Sequence, residues 1–146
     1  MRGAPLVLDA AGLDALCSSR PPPRFRALVA EALRRDREVL TPTLVCAEIA
    51  RGRSRTAALE AAIGRHDRAR GERPAIRLVD TTFDLARQVG AVLEAANAGS
   101  DRIVDAHVVA VCVISGGGLV VTSDSGEILE LAEGMPATRI RTTTPS

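Results

Sequence analysis

The chain has 146 residues, 46% of them hydrophobic and 25% charged, a balance that suits one globular domain with a real core and excludes a disordered chain. Aromatic residues are nearly absent, two Phe with no Tyr or Trp, so platforms that stack single-stranded bases have almost nothing to stack with. The net charge is +1, yet all 19 basic residues are Arg: residues 20–77 hold 14 of them against 7 acids, and the remainder holds 5 against 11. The missing Lys excludes chemistry that needs a catalytic lysine, and the segregation lets one part face a polyanion while another gathers carboxylates. No apolar run approaches the ~20 residues of a membrane span, and Leu6-Val7-Leu8 is too short for a signal-peptide core. Cys17, Cys46 and Cys112 are odd in number and far apart, with no disulfide or zinc spacing, which leads us to expect a reducing cytoplasm.

Leu6-Val7-Leu8-Asp9 reads as a buried strand ending in an acid, followed by a helix over 10–18 and a rigid break at Pro21-Pro22-Pro23. Residues 24–37 carry a helical stripe of Phe25, Leu28, Val29 and Leu33. Thr41-Pro42 reads as an N-cap followed by Pro at the first helical position, opening a helix that passes Glu48 and stops near Gly52. A second, Arg-rich helix over 54–70 completes a helical hairpin. A strand over 76–80, a helix over 82–96, and a cap at Ser100 or Asp101 come next. The segment 102–114 is apolar nearly all round and rich in Val, a local signal ambiguous between buried helix and buried strand; its length of about thirteen residues favours a buried helix. After Gly116-Gly117-Gly118 come a strand over 119–122, a short helix over 125–133 and an edge strand over 138–140. Strands alternating with helices predict an α/β domain with a mainly parallel sheet. In such sheets the functional crevice lies beyond the carboxyl ends of the strands.

Two acids sit where that rule points, Asp9 after the first strand and Asp124 after the strand over 119–122. Each is equally readable as the N-cap of the next helix. Asp105 lies in Ile103-Val104-Asp105-Ala106-His107-Val108, where a carboxylate is costly unless it pairs with an Arg, meets a cation or faces a wet cleft. Asp101 shares its helical face but reads more simply as a cap, and His107, about 200° further round, reads as a packed histidine. Glu48 is the only acid between Glu38 and Glu60; it is either a solvated helix residue or a fourth member of the set. Carboxylates converging without Cys or His describe a hard-cation site for Mg²⁺ or Mn²⁺. Phosphodiester cleavage is the chemistry that most needs one, because a bound cation activates water and neutralises charge on the phosphoryl group. The cation also reverses the sign of an acidic pocket, so that Arg outside it can hold a polyanion.

These residues resemble a known family. Leu8-Asp9-Ala10, Glu48 in a Pro-led helix, Ile103-Val104-Asp105-Ala106 and Val121-Thr122-Ser123-Asp124 are similar to the PIN-domain pattern, in the size and order of the VapC-type toxins of bacterial toxin–antitoxin pairs. The resemblance runs from about residue 5 to residue 141 and implies a single PIN domain over 1–146. It implies a three-layer α/β/α sandwich around a mainly parallel sheet, and a Mg²⁺-dependent endoribonuclease with Mn²⁺ as a substitute. Asp9, Glu48, Asp105 and Asp124 would be its catalytic quartet. Asp9 and Asp105 would be the primary metal ligands, Asp124 would complete the site directly or through water, and Glu48 would act from behind them. Thr122 or Ser123 would hydrogen-bond a carboxylate or phosphate. Glu127 matches a further acid of many relatives or is an exposed helix-start residue, and His107 is given no role. The resemblance further implies an RNA substrate, a cognate antitoxin and a homodimer, with the first helices and the 41–70 hairpin facing antitoxin or RNA.

Two other readings share the fold: a PIN nuclease of RNA processing without an antitoxin, and a catalytically inert PIN-like RNA-binding module. Aspartate-phosphorylated α/β domains need a lysine that this chain lacks. A dinucleotide fold needs a GxGxxG after the first strand, whereas Gly116-Gly117-Gly118 precedes a strand.

Overall fold

A computed structural model describes residues 3–67 and 76–146. Five parallel strands, β1 (Leu6–Leu8), β2 (Val39–Pro42), β3 (Arg77–Val79), β4 (Gly118–Val121) and β5 (Ile140–Thr143), form one sheet in the order β3-β2-β1-β4-β5. The chain steps outward from β1 through β2 to β3, then crosses to β4 on the other side of β1. The switch point of the sheet is therefore between β1 and β4, where Leu6, Val7 and Leu8 pair with Leu119, Val120 and Val121.

Helices cover both faces, giving the expected three-layer α/β/α sandwich. On one, α1 (Ala10–Cys17) packs with α2 (Pro23–Arg34), the single-turn α3 (Cys46–Ile49) and α4 (Arg53–Asp67). On the other, α5 (Phe83–Ala95), α6 (Ile103–Ile114) and α7 (Ser125–Ala132) pack together. The ambiguous Val-rich segment is the helix α6. Every residue from Ala106 to Cys112 is buried, because α6 lies against β1, β2 and β4 beneath α5 and α7. Phe25, Leu8, Leu13, Val108 and Leu131 are among the largest fully buried side chains of the core. Among the described residues no helix is long and apolar enough to cross a membrane.

Three local readings are corrected. Thr41-Pro42 opens no helix: both residues end β2, and Thr41, fully buried, donates its hydroxyl to the Leu8 carbonyl at 2.8 Å. Four buried residues with no polar alternation left β2 without a strand signal, while Thr-Pro mimics a helix start. The helix after it shrinks to a 3-10 turn over Thr43–Val45 and the four residues of α3. The capping expected of Ser100 or Asp101 is likewise absent: both lie within a 3-10 turn whose N-cap is Gly99, and Arg102 precedes α6 without a side-chain cap. The last strand is β5, two residues later than the expected 138–140. The end of the predicted 54–70 helix, residues 68–70, lies outside the described residues.

Candidate active site at the carboxyl edge of the sheet

Parallel strands all end on one edge, and the helix leading into β4 must run from that edge back to the opposite one, where β4 begins. So α6 starts at the edge where β1 and β4 end. This brings Asp105, in the first turn of α6, toward Asp9, which follows β1. The Asp9 amide donates to the Val121 carbonyl at 3.3 Å, joining the two strand ends. Glu48 approaches from α3, and Asp124 and Glu127 from the start of α7.

Asp9 is an N-cap and a member of this cluster at once. Its Oδ1 accepts from the amides of Ala11 at 2.9 Å and Gly12 at 3.1 Å. Burial pushes its carboxyl above the usual range and the charge of Asp124 adds to this, while hydrogen bonds from Thr122, Gly12 and Ala11 pull it back. Asp124 is the N-cap of α7, its Oδ1 accepting from the Glu127 amide at 3.2 Å. Capping uses one oxygen of each carboxylate. Thr122, fully buried, ties the two acids together: its hydroxyl bonds Asp9 and accepts the Asp124 amide at 3.0 Å. Ser123 is exposed and none of the described hydrogen bonds joins it to the acids.

Among the described residues no guanidinium lies beside Asp105. It is half-buried, and its carboxyl is pushed up to about 6, first by desolvation, then by a hydrogen bond to Glu127 and by the charges of Glu127, Asp9 and Glu48. A structural salt bridge would have had the opposite effect. Glu127, left open between a site acid and a solvated one, therefore touches the cluster directly. His107 is packed away from it, with Nδ1 2.7 Å from the Ile103 carbonyl, which makes that nitrogen the donor, and Nε2 3.0 Å from the Thr81 hydroxyl.

Arg102 is a positioning residue that the sequence did not reveal. Its guanidinium donates to the Glu127 carbonyl at 2.9 Å and lies 3.3 Å from the Glu130 carboxylate, clamping α7 to the start of α6. Nothing in local sequence distinguishes this Arg from the other eighteen.

No three of the described Asp, Glu, His or Cys side chains close around one point as a metal cage. The donor set still fits a hard cation, being all oxygen. Mg²⁺ typically keeps several waters and takes only one or two carboxylates, so a looser ring of acids suits it better than it would suit Ca²⁺ or Zn²⁺.

A PIN-domain family model matches residues 14–133. The chain belongs to the PIN-domain family. PIN domains are generally nucleases. The matched span of this PIN chain contains Glu48, Asp105, Asp124 and Glu127, and Asp9 precedes it. Among solved structures, that of FitAB bound to an IR36 DNA fragment has a chain similar to this one, with a TM-score of 0.62 and 14% identity over 96% of this chain and 94% of that one. At that identity the likeness speaks for the fold. No curated protein matches the PIN chain.

Proposed function

We propose that this PIN chain is a Mg²⁺-dependent endoribonuclease acting as the toxin of a toxin–antitoxin pair, a single domain of the cytoplasm that cuts RNA by hydrolysis. The observation that carries the reading is Asp105: a half-buried carboxyl surrounded by other acids, without a cationic partner among the described residues. Isolated, that arrangement is unfavourable; a divalent cation relieves it.

Asp9 and Asp105 would hold the cation, with Asp124 completing the site directly or through water. Bound there, the cation would supply the positive charge that a phosphodiester needs and would acidify an attacking water. Glu48 would orient that water from the α3 side. Thr122 fixes the pose of Asp9 and Asp124 through its hydroxyl. Glu127 would hydrogen-bond Asp105 when no cation is bound. Ser123, exposed beside Asp124, is free to reach a phosphate oxygen.

The fold relative, FitAB, is bound to a DNA fragment, which supports an assembly in which this chain joins a second, DNA-contacting protein, here the antitoxin. A homodimer is part of the same proposal. The test is incubation of the purified chain with total RNA in Mg²⁺, in Mn²⁺ and in EDTA, followed by mapping of the new ends. Cleavage that needs the cation, disappears in Asp105→Asn and is suppressed by the product of an adjoining small reading frame is the expected outcome. EDTA-resistant cleavage, or none in any condition, overturns the reading.

A further inference from the structure

We propose a second anion site, a pocket for phosphate-bearing polyanions, at the amino-terminal edge of the sheet. It is a cavity of about 320 Å³ bounded by Ala4 before β1, Arg37 before β2, Gly116–Gly118 and Leu119 at the start of β4, and Arg139 and Arg141 at β5. The acids gather at the opposite edge. With β4 four residues long, the two edges are about 13 Å apart at ~3.3 Å per residue. The pocket therefore cannot belong to the acidic crevice.

No described carboxylate compensates its charge. Arg34, Arg35, Arg55, Arg77, Arg87 and Arg102 each pair with a carboxylate. Arg37, Arg139 and Arg141 pair with none among the described residues, and no Asp or Glu lines the cavity. Asp36 and Glu38 flank Arg37 in sequence but do not line it, and Glu38 is engaged with Arg77 at 2.8 Å. Three Arg line one hollow with no described carboxylate among them, and like charges gathered there favour an anion that joins them. Arg139 and Arg141, two apart on an extended chain, project to the same side.

The glycines give the hollow its shape. Gly117 has φ +136°, and a Cβ there would stand 3.0 Å from the Arg139 carbonyl, so the loop presses against β5 as only glycine allows. The amides of Gly116, Gly117 and Gly118 are already used by Val113, Cys112 and Arg139. The loop therefore offers space and no donors, and recognition falls to the three guanidiniums. Planar forks of this kind match phosphate oxygens in pairs. A charge of three selects a multiply charged phosphate over a single carboxylate. The cavity volume lies at the low end of small-ligand pockets, enough for a di- or triphosphate group or for adjacent phosphates of a nucleic-acid backbone.

The test is calorimetry of the purified full chain in EDTA with two probes, inorganic tripolyphosphate and a short single-stranded oligonucleotide. Arg139→Gln with Arg141→Gln, and Arg37→Gln alone, are expected to weaken tripolyphosphate binding by about tenfold or more per guanidinium, the scale of a lost charged contact. Arg20→Gln with Arg26→Gln, two exposed Arg away from the pocket, is expected to leave it within about twofold, as is Asp105→Asn. If oligonucleotide binding weakens in parallel, the natural ligand is a nucleic-acid backbone; if only tripolyphosphate weakens, it is a free polyphosphate. The proposal is overturned if the parent fails to bind tripolyphosphate, if the pocket variants bind as the parent does, or if the Arg20/Arg26 pair or Asp105→Asn weakens binding equally. Binding in EDTA does not depend on catalysis, so the nuclease reading can fail while the pocket stands.

Discussion

The carboxyl of Asp105 in the first turn of α6 is hydrogen-bonded to the carboxyl of Glu127 in the first turn of α7. Burial first, then this hydrogen bond and the neighbouring negative charges, lift the Asp105 carboxyl from an ordinary 3.8 to about 6. Between those values the folded chain carries a proton that the unfolded chain has released. Stability of the metal-free protein should therefore fall as pH rises from about 4 to 6, and Asp9, raised for the same first reason of burial, adds to the slope. Asp105→Asn, which cannot ionise, should flatten it. Urea midpoints at pH 4.5 and 6.5 for parent and variant check this; an equal slope in both removes Asp105 as its source.

The fold and the site were legible to different degrees. Strand-end acids were readable because strand ends and Gly turns have direct signatures, and α6 because the length of its Val-rich run, not its local pattern, fits a helix. β2 was not, since Val39, Leu40, Thr41 and Pro42 are all buried and show neither alternation nor a β-branched run. The cap and site readings of Asp9 and Asp124 look like rivals in sequence; the structure shows both caps, and a cap occupies one carboxylate oxygen of two, so it does not exclude a site role. The contacts of Glu127 and Arg102 depend on how α7 docks on α6, a tertiary relation that spacing along the chain does not encode.

That double use of Asp9 separates structure from chemistry. Asp9→Asn retains an oxygen for the Ala11 and Gly12 amides and loses the charge; Asp9→Ala loses both. The expected result is a melting temperature near that of the parent for Asn and a loss of about 1 kcal/mol for Ala. Both variants should lose cleavage by about a hundredfold or more, since a removed cation ligand forfeits several kcal/mol and each 1.36 kcal/mol is tenfold. An Asn variant that folds and cuts like the parent would remove Asp9 from the site.

Thr122 joins Asp9 and Asp124 through one hydroxyl. Thr122→Val keeps the shape but leaves the Asp124 amide and one bond of Asp9 without a partner in a buried setting. A cost of about 1–3 kcal/mol is expected, with cleavage reduced more than in Thr122→Ser. The serine loses a methylene-sized group, about 0.8 kcal/mol, but retains the bonds. Denaturant unfolding and initial cleavage rates of the two variants decide it; equal cleavage by both would mean that the hydroxyl is not needed to pose the acids.

Protons and a divalent cation compete for the same carboxyl. At pH 7.5 Asp105 has given up its proton, and millimolar Mg²⁺ or Mn²⁺ should raise the melting temperature, since a ligand of the folded state alone stabilises it by about 2.7 kcal/mol at a hundred times its dissociation constant. At pH 5, below the value of about 6, binding must first expel that proton, and the shift should shrink or vanish. Asp105→Asn should show little shift at either pH. Thermal melts of parent and variant with Mn²⁺, Mg²⁺ and EDTA at both pH values measure this. A parent shift of the same size at pH 5 and 7.5 would mean that the cation binds away from Asp105, and no shift at either pH would favour an inert PIN module over a nuclease.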